Sequence, residues 1–146
     1  MSFRRNPIIA VILVAFALGF TVSGADQRGG FVDLCAFTGA NLTDHFLGLY
    51  CLNDATEVFS YNYTWINLDY CVGNNAGTLV SYENGAYSGT CTNCTIAHDA
   101  TLELTCSCWD MDNHHVTSTL DLNGTIYDAD GSAACYAHKG NKTWEP

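Results

Sequence analysis

The chain has 146 residues, the length of one domain. It is 48% apolar and 14% charged, with 15 acids against 5 bases for a formal charge of −10, and it contains 13 Gly, 2 Pro and 8 Cys. That composition excludes a charge-rich disordered segment. The absence of any basic stripe excludes a nucleic-acid binder, which needs clustered Lys and Arg to neutralise phosphates.

In chain order, the first element is a leader. Arg4 and Arg5 precede an uncharged apolar run from Ile8 to Phe20, and Thr21 to Ala25 are small or polar. This is the pattern of a signal peptide over residues 1–24, with cleavage after Gly24 or Ala25. The 13 apolar residues fall short of the roughly 20 that cross a bilayer as a helix, so no membrane span is expected after cleavage. Residues 25–146 then form a single secreted domain, extracellular or in a cell wall. It keeps only Arg28, Lys139 and Lys142 against 15 acids, a formal charge of −12.

All eight cysteines, at 35, 51, 71, 91, 94, 106, 108 and 135, lie in that domain. An even number in an oxidising compartment predicts four disulfides, for which 105 connectivities exist. Five Asn-X-Thr acceptor tripeptides start at Asn41, Asn62, Asn93, Asn123 and Asn141. Asn93 is wedged between cysteines and Asn123 sits in a tight turn, which leaves Asn41, Asn62 and Asn141 as the N-glycosylation candidates.

A shift of 54 residues lays Trp65–Thr78 on Thr119–Ser132. Both copies read apolar, Asn/Asp, Leu, Asn/Asp, then Asn/Asp again and Gly-Ser/Thr. The Asn/Asp oxygens can cap a short helical turn, Leu68 and Leu122 anchor it, and Gly77 and Gly131 allow a positive φ before the next strand. Between these landmarks Leu47–Cys51, Thr101–Cys106 and Val116–Leu120 alternate with a period of two, and no stretch holds a helical stripe. The reading is an all-β protein of two pseudo-equivalent halves with single helical turns.

The ordered set of Phe31 with Cys35, Cys51, Asn67-Leu68-Asp69…Asn74…Gly77-Thr78, Tyr87 with Ser88-Gly89-Thr90-Cys91, Cys106, and Asp121-Leu122-Asn123…Ile126…Asp130-Gly131 resembles the cyanovirin-N homology family. The resemblance implies an all-β fold of two sequence repeats, about 30–79 and 87–135. They would make two pseudo-symmetric halves, each a triple-stranded sheet plus a β-hairpin, in which the chain crosses over. Half A would combine the early strands with the C-terminal segment, and half B would come from the middle of the chain. The crossover also permits a domain-swapped dimer. The resemblance further implies bridges at Cys35–Cys51 and Cys91–Cys106. Cys94–Cys108, flanking the second bridge at matching offsets, and Cys71–Cys135 are then expected from the other four.

Members of that family bind mannose-rich oligosaccharides in a shallow pocket in each half. Carried over, the half-A pocket uses Gly30, Asp33 and Leu34, then Leu52, Asn53 and Asp54, then Asp128, Ala129 and Asp130. The half-B pocket uses Gly73, Asn74, Asn75 and Ala76, then Gly85, Ala86, Gly89 and Thr90, then Ser107, Cys108, Trp109 and Met111. Half B is the weaker site, because Ala76 replaces an acid and Cys108 is expected in a disulfide. Neutral sugars suit such short polar side chains and need no cofactor or metal. Cys94, Cys108, His114 and His115 use the vocabulary of a zinc site, but a secreted chain pairs its cysteines, and adjacent histidines on a strand point to opposite faces. No Gly-X-Ser-X-Gly or His-Glu-X-X-His spacing occurs, so no enzyme is expected. The functional expectation is a secreted lectin for mannose-type glycans or glycoproteins. The rival is a disulfide-rich scaffold or effector of the same fold that has lost sugar binding and acts through protein contacts.

Overall fold

The computed structural model describes residues 29–53, 60–99 and 101–143. The predicted leader over 1–24 and the candidate Asp54 lie outside them. Eleven strands follow in order: β1 Cys35–Thr43, β2 Phe46–Leu52, β3 Tyr61–Asn67, β4 Val72–Asn75, β5 Thr78–Ser81, β6 Cys91–Ala97, β7 Glu103–Trp109, β8 His115–Asp121, β9 Tyr127–Asp128, β10 Ala133–Cys135 and β11 His138–Lys139. Four single 3-10 turns, Phe31–Asp33, Leu68–Tyr70, Tyr87–Gly89 and Leu122–Gly124, punctuate them. No helix among the described residues is long and apolar enough to cross a membrane.

Strands β1-β2-β3 and β6-β7-β8 form two antiparallel three-stranded sheets, with β4-β5 a hairpin and β9-β10-β11 a small third sheet. The β4-β5 hairpin lies against the second sheet, where the Leu79 N–H donates to Ser118 Oγ at 2.8 Å. The β9-β10 hairpin lies against the first, where the Ala133 N–H donates to Thr64 Oγ1 at 3.3 Å. Half A therefore takes its hairpin from the C-terminal segment and half B is drawn from the middle of the chain. One continuous core of Phe31, Leu47, Leu49, Ile66, Leu68, Tyr87, Leu102, Leu104, Leu122 and Ile126 fills both halves.

The repeat motif does in space what its residues allow. Asn67 Oδ1 accepts from the Asp69 N–H at 2.8 Å, and Asp121 Oδ1 accepts from the Asn123 N–H at 2.8 Å, so each 3-10 turn starts on its own side-chain cap. The next residue in each turn then reaches out to the turn that opens the other repeat. Asp69 accepts the Ser88 N–H at 3.0 Å and the Ser88 hydroxyl at 2.6 Å, and its carbonyl takes the Ala86 N–H at 2.9 Å. Asn123 accepts the Val32 N–H at 3.3 Å, and its carbonyl takes the Gly30 N–H at 2.7 Å. The two docking sites are pseudo-symmetric copies.

Two bridges, Cys35–Cys51 and Cys71–Cys135, join the residues expected, and the other two do not. The structure pairs Cys91 with Cys108 and Cys94 with Cys106, in place of Cys91–Cys106 and Cys94–Cys108. The cause is the β6-β7 register. Cys91 stands opposite Cys108, and a bulge between Thr92 and Thr95, with Asn93 at φ 52°, adds one residue to β6. Within it Cys94 comes close to Cys106, their Cα atoms 4.1 Å apart. Antiparallel partners are nested, so crossed bridges would demand a register that the sheet does not have. All described cysteines are bridged, which leaves no thiolate for the zinc vocabulary.

Phe31 and Tyr87 hold equivalent core positions in the two repeats, 0% and 1% exposed. The extra hydroxyl of Tyr87 is buried with no hydrogen-bond partner among the described residues, and burial, with Asp69 nearby, pushes its pKa well above the ordinary tyrosine value. A buried hydroxyl without a partner costs about 1–3 kcal/mol. Tyr87→Phe is expected to raise stability by about 1 kcal/mol in urea denaturation, whereas a loss of stability would show that the hydroxyl is satisfied.

Candidate functional site

In half A the hairpin loop that follows β9 meets the ends of β1 and β2. Asp128 Oδ1 accepts the Gly131 N–H at 2.9 Å, and the Ala129 N–H donates to the Ser132 carbonyl at 2.8 Å. Asp130 and Gly131 have φ of 55° and 72°, a reversal that Asp tolerates and Gly makes free of strain. Gly131 lies so close to Asn53 that a Cβ would come within 3.1 Å of its Cα. The Asp128 carboxylate sits within 4.8 Å of the Cys35 and Cys51 sulfurs, which are bonded to each other and hold no metal position. Leu34 joins the group through its carbonyl, which accepts the Leu52 N–H at 2.9 Å. The structure thus gathers Leu34, Leu52, Asn53, Asp128, Ala129 and Asp130, with Gly30 and the exposed Asp33 on the adjoining 3-10 turn.

In half B the corresponding centre is Asn74. Its Oδ1 accepts the Gly77 N–H at 2.8 Å, and its Nδ2 donates to Thr90 Oγ1 at 3.1 Å and to the Trp109 carbonyl at 2.8 Å. Gly73 bridges to Ala86, and Gly85 packs so tightly on Gly73 that a Cβ would come within 2.5 Å of it. Asn74, Ala86, Thr90 and the Trp109 backbone are therefore brought together, with Asn75 exposed at the hairpin end. Ser107 is not part of that group, since its hydroxyl lies 3.2 Å from His115 Nδ1 on β8. The Trp109 ring also turns to His115, with centroids 3.8 Å apart, and keeps 42% of its surface exposed.

The sequence reading missed Tyr82 and Val80. With Gly73, Asn74, Asn75 and Gly85 they line a groove of about 400 Å³, and Tyr82 is 64% exposed, a free aromatic face beside short polar groups. Tyr82 lies in the segment between the repeats, outside the motif, so no spacing pointed to it. The adjoining loop is tied by Asp110, whose carboxylate accepts the Asp112 and His114 N–H groups at 2.8 Å each. The hydrogen bond from the His114 backbone, then that from Asp112 and the charge of His114, hold its pKa below the ordinary carboxylate value.

The sequence model of the CVNH domain family matches residues 31–134. The chain belongs to the CVNH family. Three solved structures share its fold. The NMR structure of the Gibberella zeae CVNH is 23% identical, covers 73% of this chain and 97% of its own, and superposes with a TM-score of 0.61. A microvirin:mannobiose complex is 20% identical, covers 73% and 98%, and has a TM-score of 0.58. A MoCVNH3 variant in complex with (N-GlcNAc)4 is 11% identical, covers 75% and 99%, and has a TM-score of 0.62. A comparison with curated protein sequences finds no match.

Ala76, at φ 51°, is the first residue of the two-residue β4-β5 loop, where a side chain such as Asn is better tolerated. Ala76→Asn is expected to stabilise the CVNH domain by about 0.5–1 kcal/mol. Asn74→Ala, which removes three hydrogen bonds, is expected to cost about 1–2 kcal/mol. Thermal denaturation of both variants checks this, and an unchanged midpoint for Asn74→Ala would contradict the anchoring role.

Proposed function

We propose that this CVNH chain is a secreted lectin whose half-A loop binds mannose-type oligosaccharides. The observation that carries this is the junction of Asp128–Gly131 with Asn53 and the β1 and β2 ends, where the Asp130 carboxylate and backbone groups converge at an exposed turn. Vicinal sugar hydroxyls need paired acceptors and donors of this kind. Asp130 is exposed, and Asp128 and Ala129 are half-buried beside it. Support also comes from the fold shared with the microvirin:mannobiose complex. The strong negative charge suits a neutral ligand better than an acidic one.

Half B serves a different purpose in this reading. The Asn74 amide already spends both its oxygen and its nitrogen on Gly77, Thr90 and Trp109, so it holds the hairpin in place. Asp128 occupies the equivalent position in half A and cannot donate; its Oδ1 takes the Gly131 N–H and its Oδ2 is buried, so the exposed Asp130 is the carboxylate that faces a sugar there. The competing reading, a scaffold acting through protein contacts, is favoured by half B, where Tyr82, Trp109, Met111 and Val116 are exposed.

An amide NMR titration of the oxidised, unglycosylated domain with a mannose disaccharide, against a cellulose-type disaccharide, tests the proposal. Saturable shifts are expected at Asn53 and Asp128–Gly131, with loss of at least tenfold in affinity for Asp130→Ala. Shifts centred on Asn74, Asn75 and Tyr82 would move the site to half B, and no saturable shift at millimolar sugar would leave the scaffold reading.

A further inference from the structure

The sheet β1-β2-β3 has an outer face that the proposed sugar loop does not use. One row of directly paired residues crosses it: Asn41 opposite Gly48, Gly48 opposite Trp65, and Trp65 bridged to Asn141. Paired residues share a face, so Asn41 and Asn141, both acceptor asparagines by sequence, stand on the same side as Trp65. Three strand spacings put them about 14 Å apart. Asn62, the third candidate, has the opposite parity, and its Nδ2 is buried against Gly131.

Next to Asn141 the face is hollow. Phe46, Trp65, Asn67, Tyr70, His138 and Asn141 are among the residues lining a groove of about 400 Å³. Its floor is aromatic: Tyr70, 44% exposed, stacks on His138 with centroids 4.5 Å apart. Gly48 leaves room for the Trp65 ring, since a Cβ there would come within 2.7 Å of it. Trp65 is 6% exposed, and its indole Nε1 is buried with no hydrogen-bond partner among the described residues. A groove with apolar ring faces suits the C–H face of a pyranose.

We infer that this outer face is the glycan-bearing face of the molecule, and that the first N-acetylglucosamine attached to Asn141 seats in the groove over Tyr70 and Trp65. In the attachment, Asn141 Nδ2 forms a bond to C1 of a lipid-diphosphate-linked oligosaccharide. The C1–O bond to the diphosphate breaks, and one Nδ2 proton is released. The secretory glycosyl transferase supplies donor and catalysis, and this chain supplies the acceptor and the seat. The sugar's C–H face covers the Tyr70–His138 stack beside the buried Trp65 ring. The proposed sugar loop at Asp128 and the hairpin loop at Asn74 are not on this row of paired residues.

The test uses the full chain secreted from a eukaryotic host. Glycopeptide mass spectrometry is expected to find sugar on Asn141 and Asn41 and none on Asn62. The protein is then trimmed to one N-acetylglucosamine per site and compared with an Asn141→Gln chain treated alike. The Trp65 indole N–H resonance, assigned with Trp65→Phe, is expected to shift between the two. An unmodified Asn141 overturns the inference, and so does a modified Asn141 whose removal leaves the Trp65 resonance where it was.

Discussion

The reciprocal docking of short turns is the constraint on which the molecule depends. Asp69 of the first repeat holds the turn that opens the second, and Asn123 of the second holds the turn that opens the first. Neither repeat completes itself. Each contributes a three-stranded sheet to one half and a hairpin to the other, so the halves form only when the chain crosses over. The Cys71–Cys135 bridge closes a span of 64 residues across this crossover, where a chain-entropy argument gives a stabilisation of about 4 kcal/mol.

The same framework leaves the halves unequal in chemistry. At equivalent points stand Asp128 and Asn74, Asp130 and Ala76, Phe31 and Tyr87. An amide that donates twice locks the half-B hairpin to Thr90 and Trp109, while the Asp128 carboxylate in half A only accepts, its Oδ1 from Gly131 and its Oδ2 lying buried. The outer faces differ as well. Half A carries Tyr50, Tyr63 and Trp65 in edge-to-face contact, and half B carries Thr105 and Thr119 joined by their hydroxyls at 2.8 Å. The duplicated backbone thus carries different side-chain chemistry in its two halves.

Much of the fold was legible because it is written locally. Asn67 and Asp121 cap turns through their own i+2 amides, and Gly77 and Gly131 take positive φ at hairpin loops, so residue type and spacing suffice. The second bridge set was not legible, because one bulge at Asn93 changes which cysteines face each other and no composition rule places a bulge. The candidate loops were legible where they overlap the repeat, at Asn74, Asp128 and Asp130. The rest was hidden where tertiary contact decides. Tyr82 enters a groove from the segment between repeats, Ser107 turns to His115, and Asn62 turns inward while Asn41 and Asn141 turn outward.

The central claim is that the CVNH framework of this chain has kept a working sugar site. Probing an array of immobilised neutral and acidic glycans with the oxidised, deglycosylated domain tests it most directly. Retention on mannose-terminated oligosaccharides, abolished when Asp128 and Asp130 are both replaced by Ala, is the predicted result. Retention on no glycan at all would contradict the claim.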